Sequence, residues 1–242
     1  MTGGSSGVDF GRRADTPELM DDPAVDYDTF RACLVDLAKV NRLTLAYRPT
    51  FAFLDRLCDN GLWPKDRPVV ILDVGSGYGD MLRLIGKWAR ARSLDVRLQG
   101  LDRNPWAARS AERVLGSEGI QWLSEDLFAH RGGADIILSS LFTHHLDDIS
   151  LVRFLEWQEA NARIGWFVND LLRHPFSYYG FALLSRLMFW HPFVVHDGPV
   201  SIRRAFRPED WTVFLARAGV HQARIESWFP FRLCVSRVRG ER

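Results

Sequence analysis

The chain has 242 residues, which suits one α/β domain with a modest extra segment better than two full domains. Hydrophobic residues make up 47% and charged residues 25%, so there is enough apolar material for a real core. The formal net charge of +1, with no basic stripe, gives no electrostatic reason to expect nucleic acid as a partner.

Met1 to Phe10 is polar and Gly/Ser-rich, without the charged start and apolar run of a secretory signal. Cys33, Cys58 and Cys234 are widely spaced and odd in number, which excludes a disulfide framework and a CxxC metal site. That usage fits a reducing compartment, so a cytoplasmic protein is expected. Residues 1–24 read as a flexible lead, and 25–242 as the folded domain. From Asp26 to about Asn60, Phe30, Leu34, Leu37, Leu43, Phe51, Leu54 and Leu57 recur at helical spacing, with Pro49 expected to separate two helices.

From Pro68 the pattern changes to short β-branched runs alternating with helical stretches. Val69–Val74, Val96–Asp102, Ile120–Leu123, Ala134–Ser139 and Arg163–Asn169 read as strands. Helices are expected at about 81–92, 106–115 and 151–161. Such alternation predicts a mostly parallel sheet with helices on both faces, and ligands beyond the carboxyl ends of its strands. Pro175 to Val195 is rich in aromatic and aliphatic residues, but Arg186, Ser177, Ser185 and His191 interrupt it. A membrane span is therefore not expected, although contact with a membrane surface stays open. A helix over 208–218 ending at Gly219, and strands over 221–228 and 231–238, close the chain.

Asp73-Val74-Gly75-Ser76-Gly77-Tyr78-Gly79-Asp80 follows a strand and opens a helix. Glycines let a main chain approach a ligand closely, and a helix N-terminus stabilises an anionic group. The next strand ends in Asp102, where a carboxylate can accept hydrogen bonds from two ribose hydroxyls. The spacing G-x-G-x-G differs from the dinucleotide fingerprint G-x-G-x-x-G. With Asp73 before it, the loop resembles the first motif of class I S-adenosylmethionine-dependent methyltransferases. Asp102 resembles that family's ribose-binding acid, and Glu125-Asp126-Leu127 the segment that contacts adenine. Together these cover roughly residues 68–170. The resemblance implies a Rossmann-like seven-stranded sheet with an antiparallel final strand pair, and S-adenosylmethionine as cofactor. It places Asp73, Gly75, Ser76, Gly77, Gly79, Asp102, Arg103, Asp126, Leu127 and Ser139 at the cofactor.

At the fourth strand's end, Ser139-Ser140-Leu141-Phe142-Thr143-His144-His145-Leu146 is similar to the His-His-Leu stretch of small-molecule methyltransferases of the ubiquinone-biosynthesis type. Either histidine could serve as a general base, since an unperturbed imidazole titrates near neutral pH. The stretch is not the N/D-P-P-Y/F motif of amino-methylating nucleic-acid enzymes. The acidic residue and Asp-Asn pair of metal-dependent catechol enzymes are likewise replaced by serines and by Asn169-Asp170. Neighbouring His144 and His145 are expected to diverge, so no metal site is expected.

Residues 171–205 read as a lid insertion that roofs an apolar pocket together with the 25–60 helices. Asn41, Arg42, Phe142, Arg173, Tyr178 and Arg203 are the candidate acceptor-binding residues. Arg173, His174, Arg203 and Arg204 flank the apolar segment, where a carboxylate or phenolate could be gripped. The segments 169–175 and 201–206 resemble bacterial methyltransferases found beside polyketide and phenolic-lipid pathways. Expected, then, is metal-free O-methylation of a small apolar aromatic, phenolic or carboxylated compound, by a monomer or homodimer. An NAD(P)-dependent oxidoreductase, or a non-catalytic methyltransferase-like binding module, is the alternative.

Overall fold

The β-branched runs after Val69 become strands, and the amphipathic stretches between them become helices on both faces of one sheet. The computed structural model describes residues 8–240. The strands are β1 (Val69–Val74), β2 (Val96–Asp102), β3 (Ile120–Ser124), β4 (Ala134–Ser140), β5 (Ala162–Leu171), β6 (Arg224–Trp228) and β7 (Arg232–Val238). Their order in the sheet is β3-β2-β1-β4-β5-β7-β6. The first five run parallel, while β7 is antiparallel to both β5 and β6. The chain winds outward from β1 to β3 and then crosses back to β4. The β1–β4 boundary is thus the topological switch point, where open α/β sheets leave a crevice.

The helices are α1 (Tyr27–Leu43), α2 (Arg48–Asp59), α3 (Asp80–Ala91), α4 (Pro105–Glu112), α5 (Asp148–Asn161), α6 (Pro175–Leu187), α7 (Pro192–Arg204) and α8 (Pro208–Arg217). Alternate strand residues feed two cores. Val69, Ile71, Ile136, Leu138 and Phe167 pack against α2 and α3, where Phe53 stacks on Phe167 at 4.8 Å. Leu72, Val74, Ile137, Trp166 and Val168 pack against α5 and α8 on the other face. Each fully buried large side chain contributes roughly 1.5–3 kcal/mol.

Proline and its neighbours set the helix starts. Pro105, Pro175, Pro192 and Pro208 each stand in a first turn, where the missing N–H has no partner to lose. Pro192 is why the aromatic stretch of 175–195 is two helices and not one. Pro49 behaves likewise: it opens α2, and the break expected at it lies earlier, at Thr44–Tyr47, where Leu45 has φ 54°. α5 starts at Asp148, ahead of the expected 151, because the Asp147 side chain accepts the Ser150 N–H.

Residues 8–24, expected as a flexible lead, are packed across the α7 end of the domain instead; 1–7 lie outside the described residues. The Arg13 guanidinium donates to the carbonyls of Arg204 and Leu146, pairs with Asp148 at 2.9 Å and lies 4.2 Å over the Phe206 ring. The Leu19 and Met20 amides donate to the Asp197 carboxylate. Among the described residues no helix is long and apolar enough to cross a membrane.

Candidate active site

The glycine loop links the end of β1 to α3. Gly75, Gly77 and Gly79 all have positive φ, at 71°, 49° and 70°. A Cβ on Gly75 would stand 2.6 Å from the Phe142 ring, and one on Gly79 would collide with the Trp122 ring. The Gly77 amide donates to Asp102 at 3.0 Å and the Asn104 amide to its other oxygen at 2.9 Å, so the β2 carboxylate and the loop hold each other. Burial raises the Asp102 carboxyl above its ordinary range. Asp73 is raised well above it, by burial and then by the charges of Asp80 and Asp102. Asp73 Oδ1, Ser139 Oγ and Ser140 Oγ are buried without a hydrogen-bond partner, at the ends of β1 and β4. Such groups are unfavourable unless a ligand or an ordered water completes them. Phe30 and Leu34 of α1 cluster with Tyr78, Trp106 and Ala107, which lays α1 over the loop.

Not every expected cofactor residue joins this group. Ser76 is buried beside Gly100, whereas Arg103 and Asp126 are exposed. Asp126 accepts the Phe128 N–H at 2.7 Å, a local turn contact. Leu127 is buried in the core with Leu101 and Leu151, where apolar burial stabilises it.

At the end of β4 a 3-10 turn, Thr143–His145, carries the two histidines. Asp170, fully buried on β5, accepts from the Thr143 hydroxyl at 2.5 Å, the His144 amide at 3.0 Å and the Leu171 amide at 2.7 Å. Its other close partner is His144 Nδ1, at 2.7 Å. Burial alone would raise this carboxyl. The pairing with His144 and these hydrogen bonds outweigh it and hold the group well below the usual carboxylate range. An ionised Asp170 has no proton to give, so His144 Nδ1 donates and Nε2 is left facing the cavity. His145 differs. Burial would lower its pKa, but a 3.0 Å hydrogen bond to Asp21 and the Glu18 charge overcome this and push it up to about 9. His145 is an imidazolium at neutral pH. The Arg204 guanidinium fixes the turn by donating to the carbonyls of both histidines.

The histidine rings do not diverge as expected. Their centroids lie 4.4 Å apart, because the tight turn points both the same way. Glu18 faces both, with carboxylate oxygens 3.7 Å from His144 Nε2 and 3.9 Å from His145 Nε2. Ligand atoms of Glu18, His144 and His145 all fall within 4.8 Å of one another, a set that could hold a metal ion. Glu18 and Asp170 carried no signal in the sequence as isolated residues. Only the fold brings them to His144.

A cavity of about 360 Å³ opens on this turn, walled by α1, α6, α7 and the start of β7. Its surface is mostly apolar, with Leu37, Val40, Phe181, Leu184 and Ile202 among the walls. Of the expected acceptor residues, Asn41 lines it and its Oδ1 is buried without a partner. The others lie elsewhere. Arg42 is exposed. Phe142 lies on Gly75 and edge-on to Phe154. Tyr178 packs edge-on to Phe10 at 5.5 Å. Arg173 is buried, paired with Asp210 at 3.0 Å and bonded to the Ala205 and Phe10 carbonyls. Arg203 is half-buried outside the cavity lining. His174 caps α6 by accepting the Phe176 N–H. Capping and carbonyl binding account for Arg173 and His174 because helix ends and loop backbones need partners. The guanidinium that does line the cavity is Arg232, which no motif marked.

No protein-family model and no curated protein matches the chain. Solved structures do. A methyltransferase from Aquifex aeolicus, described as S-adenosylmethionine-dependent, is 15% identical with a TM-score of 0.59, over 88% of this chain and 97% of that one. Magnesium protoporphyrin IX methyltransferase from Synechocystis, with bound S-adenosylhomocysteine, is 14% identical with a TM-score of 0.53, over 90% of each chain. An O-methyltransferase-like protein from Nostoc punctiforme is 14% identical with a TM-score of 0.56, over 85% of this chain; the matched region spans only 60% of that protein. The likeness establishes the fold: this chain has the class I methyltransferase architecture.

Proposed function

We propose that the protein binds S-adenosylmethionine at the glycine loop and transfers its methyl group to a small, apolar, hydroxylated acceptor held in the cavity beside His144. The observation that carries this reading is the Asp170–His144 pair, which holds the ring by Nδ1 and turns Nε2 toward an apolar cavity that opens just past the end of β4. The donor side fits the cofactor. Asp73, with an unpartnered buried oxygen, would receive its ammonium group. Asp102 would accept from its ribose hydroxyls, and the glycines leave room for its chain. When bound, the sulfonium supplies an electrophilic methyl.

The chain's own residues then have three tasks. Apolar walls from α1, α6 and α7, acting as the lid, exclude water and align the acceptor. His144 Nε2 takes the acceptor's hydroxyl proton, and Asp170 stabilises the imidazolium that forms. A phenol has a pKa near 10, so such assistance is useful at neutral pH. Asn41 Oδ1 offers an acceptor for a second hydroxyl. Phe176, which lines the cavity, and Tyr179, Leu183, Leu187 and Phe189 are exposed on and just after α6, which supports loading of an apolar compound from a membrane surface.

Calorimetric titration with S-adenosylhomocysteine tests the cofactor assignment. Micromolar binding is expected; no binding by folded protein, with binding of NADH, would transfer the reading to the oxidoreductase class. A divalent cation is the second reading of the acceptor side, favoured by the unpartnered Glu18 Oε1 beside both histidines. Turnover abolished by a chelator and restored by added metal would replace the base with a Lewis acid.

A further inference from the structure

Three arginines and a histidine flank the aromatic segment in sequence, and the fold leaves none of them for a ligand in the cavity. Arg173 and Arg204 are spent on backbone carbonyls, His174 caps a helix, and Arg203 stays outside the lining. Arg232, far from that segment in sequence, is placed differently. It opens β7, opposite Leu171 in the β5 register, and lines the cavity while only 3% exposed. Its Nη2 donates to the Thr44 hydroxyl at 3.2 Å, and that hydroxyl donates on to the Val40 carbonyl at 2.9 Å. Its Nη1 is buried with no hydrogen-bond partner, and the side chain forms no ion pair among the described residues.

This is an expensive arrangement for a guanidinium. Arginine cannot shed its charge in a protein, and an isolated buried charge is strongly unfavourable unless a counter-charge meets it. Arg173, equally buried, pairs with its aspartate at 3.0 Å; Arg232 feels the buried Asp170 carboxylate only from beyond ion-pair distance, and no carboxylate meets its fork. The fork is held by the Thr44 bond with one arm left over, which is the geometry that takes a planar carboxylate. The surrounding walls are apolar, so a ligand filling the cavity would carry its anion at Arg232 and its hydrophobic body along α1 and α6.

We infer that Arg232 is the anchor for a carboxylate on the compound that enters this cavity, so that the acceptor class is a hydroxylated apolar carboxylic acid. The anchor itself needs no cofactor; only the ligand's role as a methyl acceptor rests on the methyl-transfer reading. The carboxylate lies at the β7 side and the hydroxyl at His144, on the β4 side, which sets the orientation of the molecule.

The full chain is titrated calorimetrically with benzoate, 2-naphthoate and decanoate, each beside its neutral amide, in wild type, R232M and R232K. S-adenosylhomocysteine is titrated in parallel. At least one carboxylate is expected to bind wild type tenfold or more tighter than its amide. R232M should abolish that preference with S-adenosylhomocysteine affinity unchanged, and R232K should keep part of it. Three carboxylates binding no better than their amides would overturn the proposal, and so would an R232M protein that retains the preference. The wild-type comparison decides the matter even where R232M fails to fold. An Arg232-dependent carboxylate preference without S-adenosylhomocysteine binding would keep the anchor and discard methyl transfer.

Discussion

The two halves of the site are built in opposite ways. The donor side is a contiguous stretch: β1, three glycines and α3, with Asp102 one strand away and hydrogen-bonded to Gly77. The acceptor side gathers Glu18, Asn41, His144, Asp170 and Arg232, five residues from five separate segments. A conformational requirement of the backbone has to be met locally, so it leaves a local pattern. A cavity needs only convergence, which any segment can supply. On the proposed reading, the difference teaches that cofactor binding would be carried by the loop and acceptor binding by packing.

That contrast can be broken most sharply at Asp170. In D170N the His144 ring loses the anion that fixes its tautomer, and turnover should fall about 10²–10⁴-fold, the range of general acid–base catalysis. S-adenosylhomocysteine affinity should stay as it was. H144Q should match it, and the double variant should be little worse, since the pair acts as one unit. Unchanged turnover of a working acceptor by D170N would remove the base assignment.

On the other half, D102A should lower S-adenosylhomocysteine affinity roughly 10–100-fold, because hydrogen bonds to a charged acceptor contribute about 1.5–3 kcal/mol. Binding of carboxylate probes to the cavity should not change. Coupled loss at both sites would show that the halves are not independent.

G79A tests the backbone requirement itself. The new methyl meets the Trp122 ring at a φ of 70°, and strain of this kind costs about 1–3 kcal/mol. The thermal midpoint should drop by several degrees, read by calorimetry.

The smallest effect expected is the pH dependence of His145. Its folded pKa of about 9 lies above the ordinary 6.5, so its contribution to stability is complete below pH 6.5 and fades as pH rises through 9. Wild type should therefore exceed H145Q in thermal midpoint by a few degrees at pH 6, and the two should converge above pH 9.5. A gap that widens with pH would contradict the ion pairing with Asp21 and Glu18.

The strand–helix alternation was readable because β-branched runs and amphipathic stretches have different periods, and the sheet follows from them. The glycine loop was readable because positive φ at Gly75, Gly77 and Gly79 leaves little choice of residue. His144 and His145 stood out as a pair, either of which could serve as the base. Which one keeps a free nitrogen depends on Asp170 and Asp21, 26 and 124 positions away. The arginines show the same limit. Arg173 and Arg204 look like ligand anchors beside an apolar run, yet nearby carbonyls claim both. Residues 8–24 look like a polar lead, yet Arg13 and Glu18 tie them to the site. Sequence alone determined the strand–helix alternation from β1 onward, since helix, strand and tight turn are largely decided by neighbouring residues. Tertiary structure decided which charge meets which, because electrostatic partners are chosen by distance in space, and a folded chain makes that distance independent of position along it.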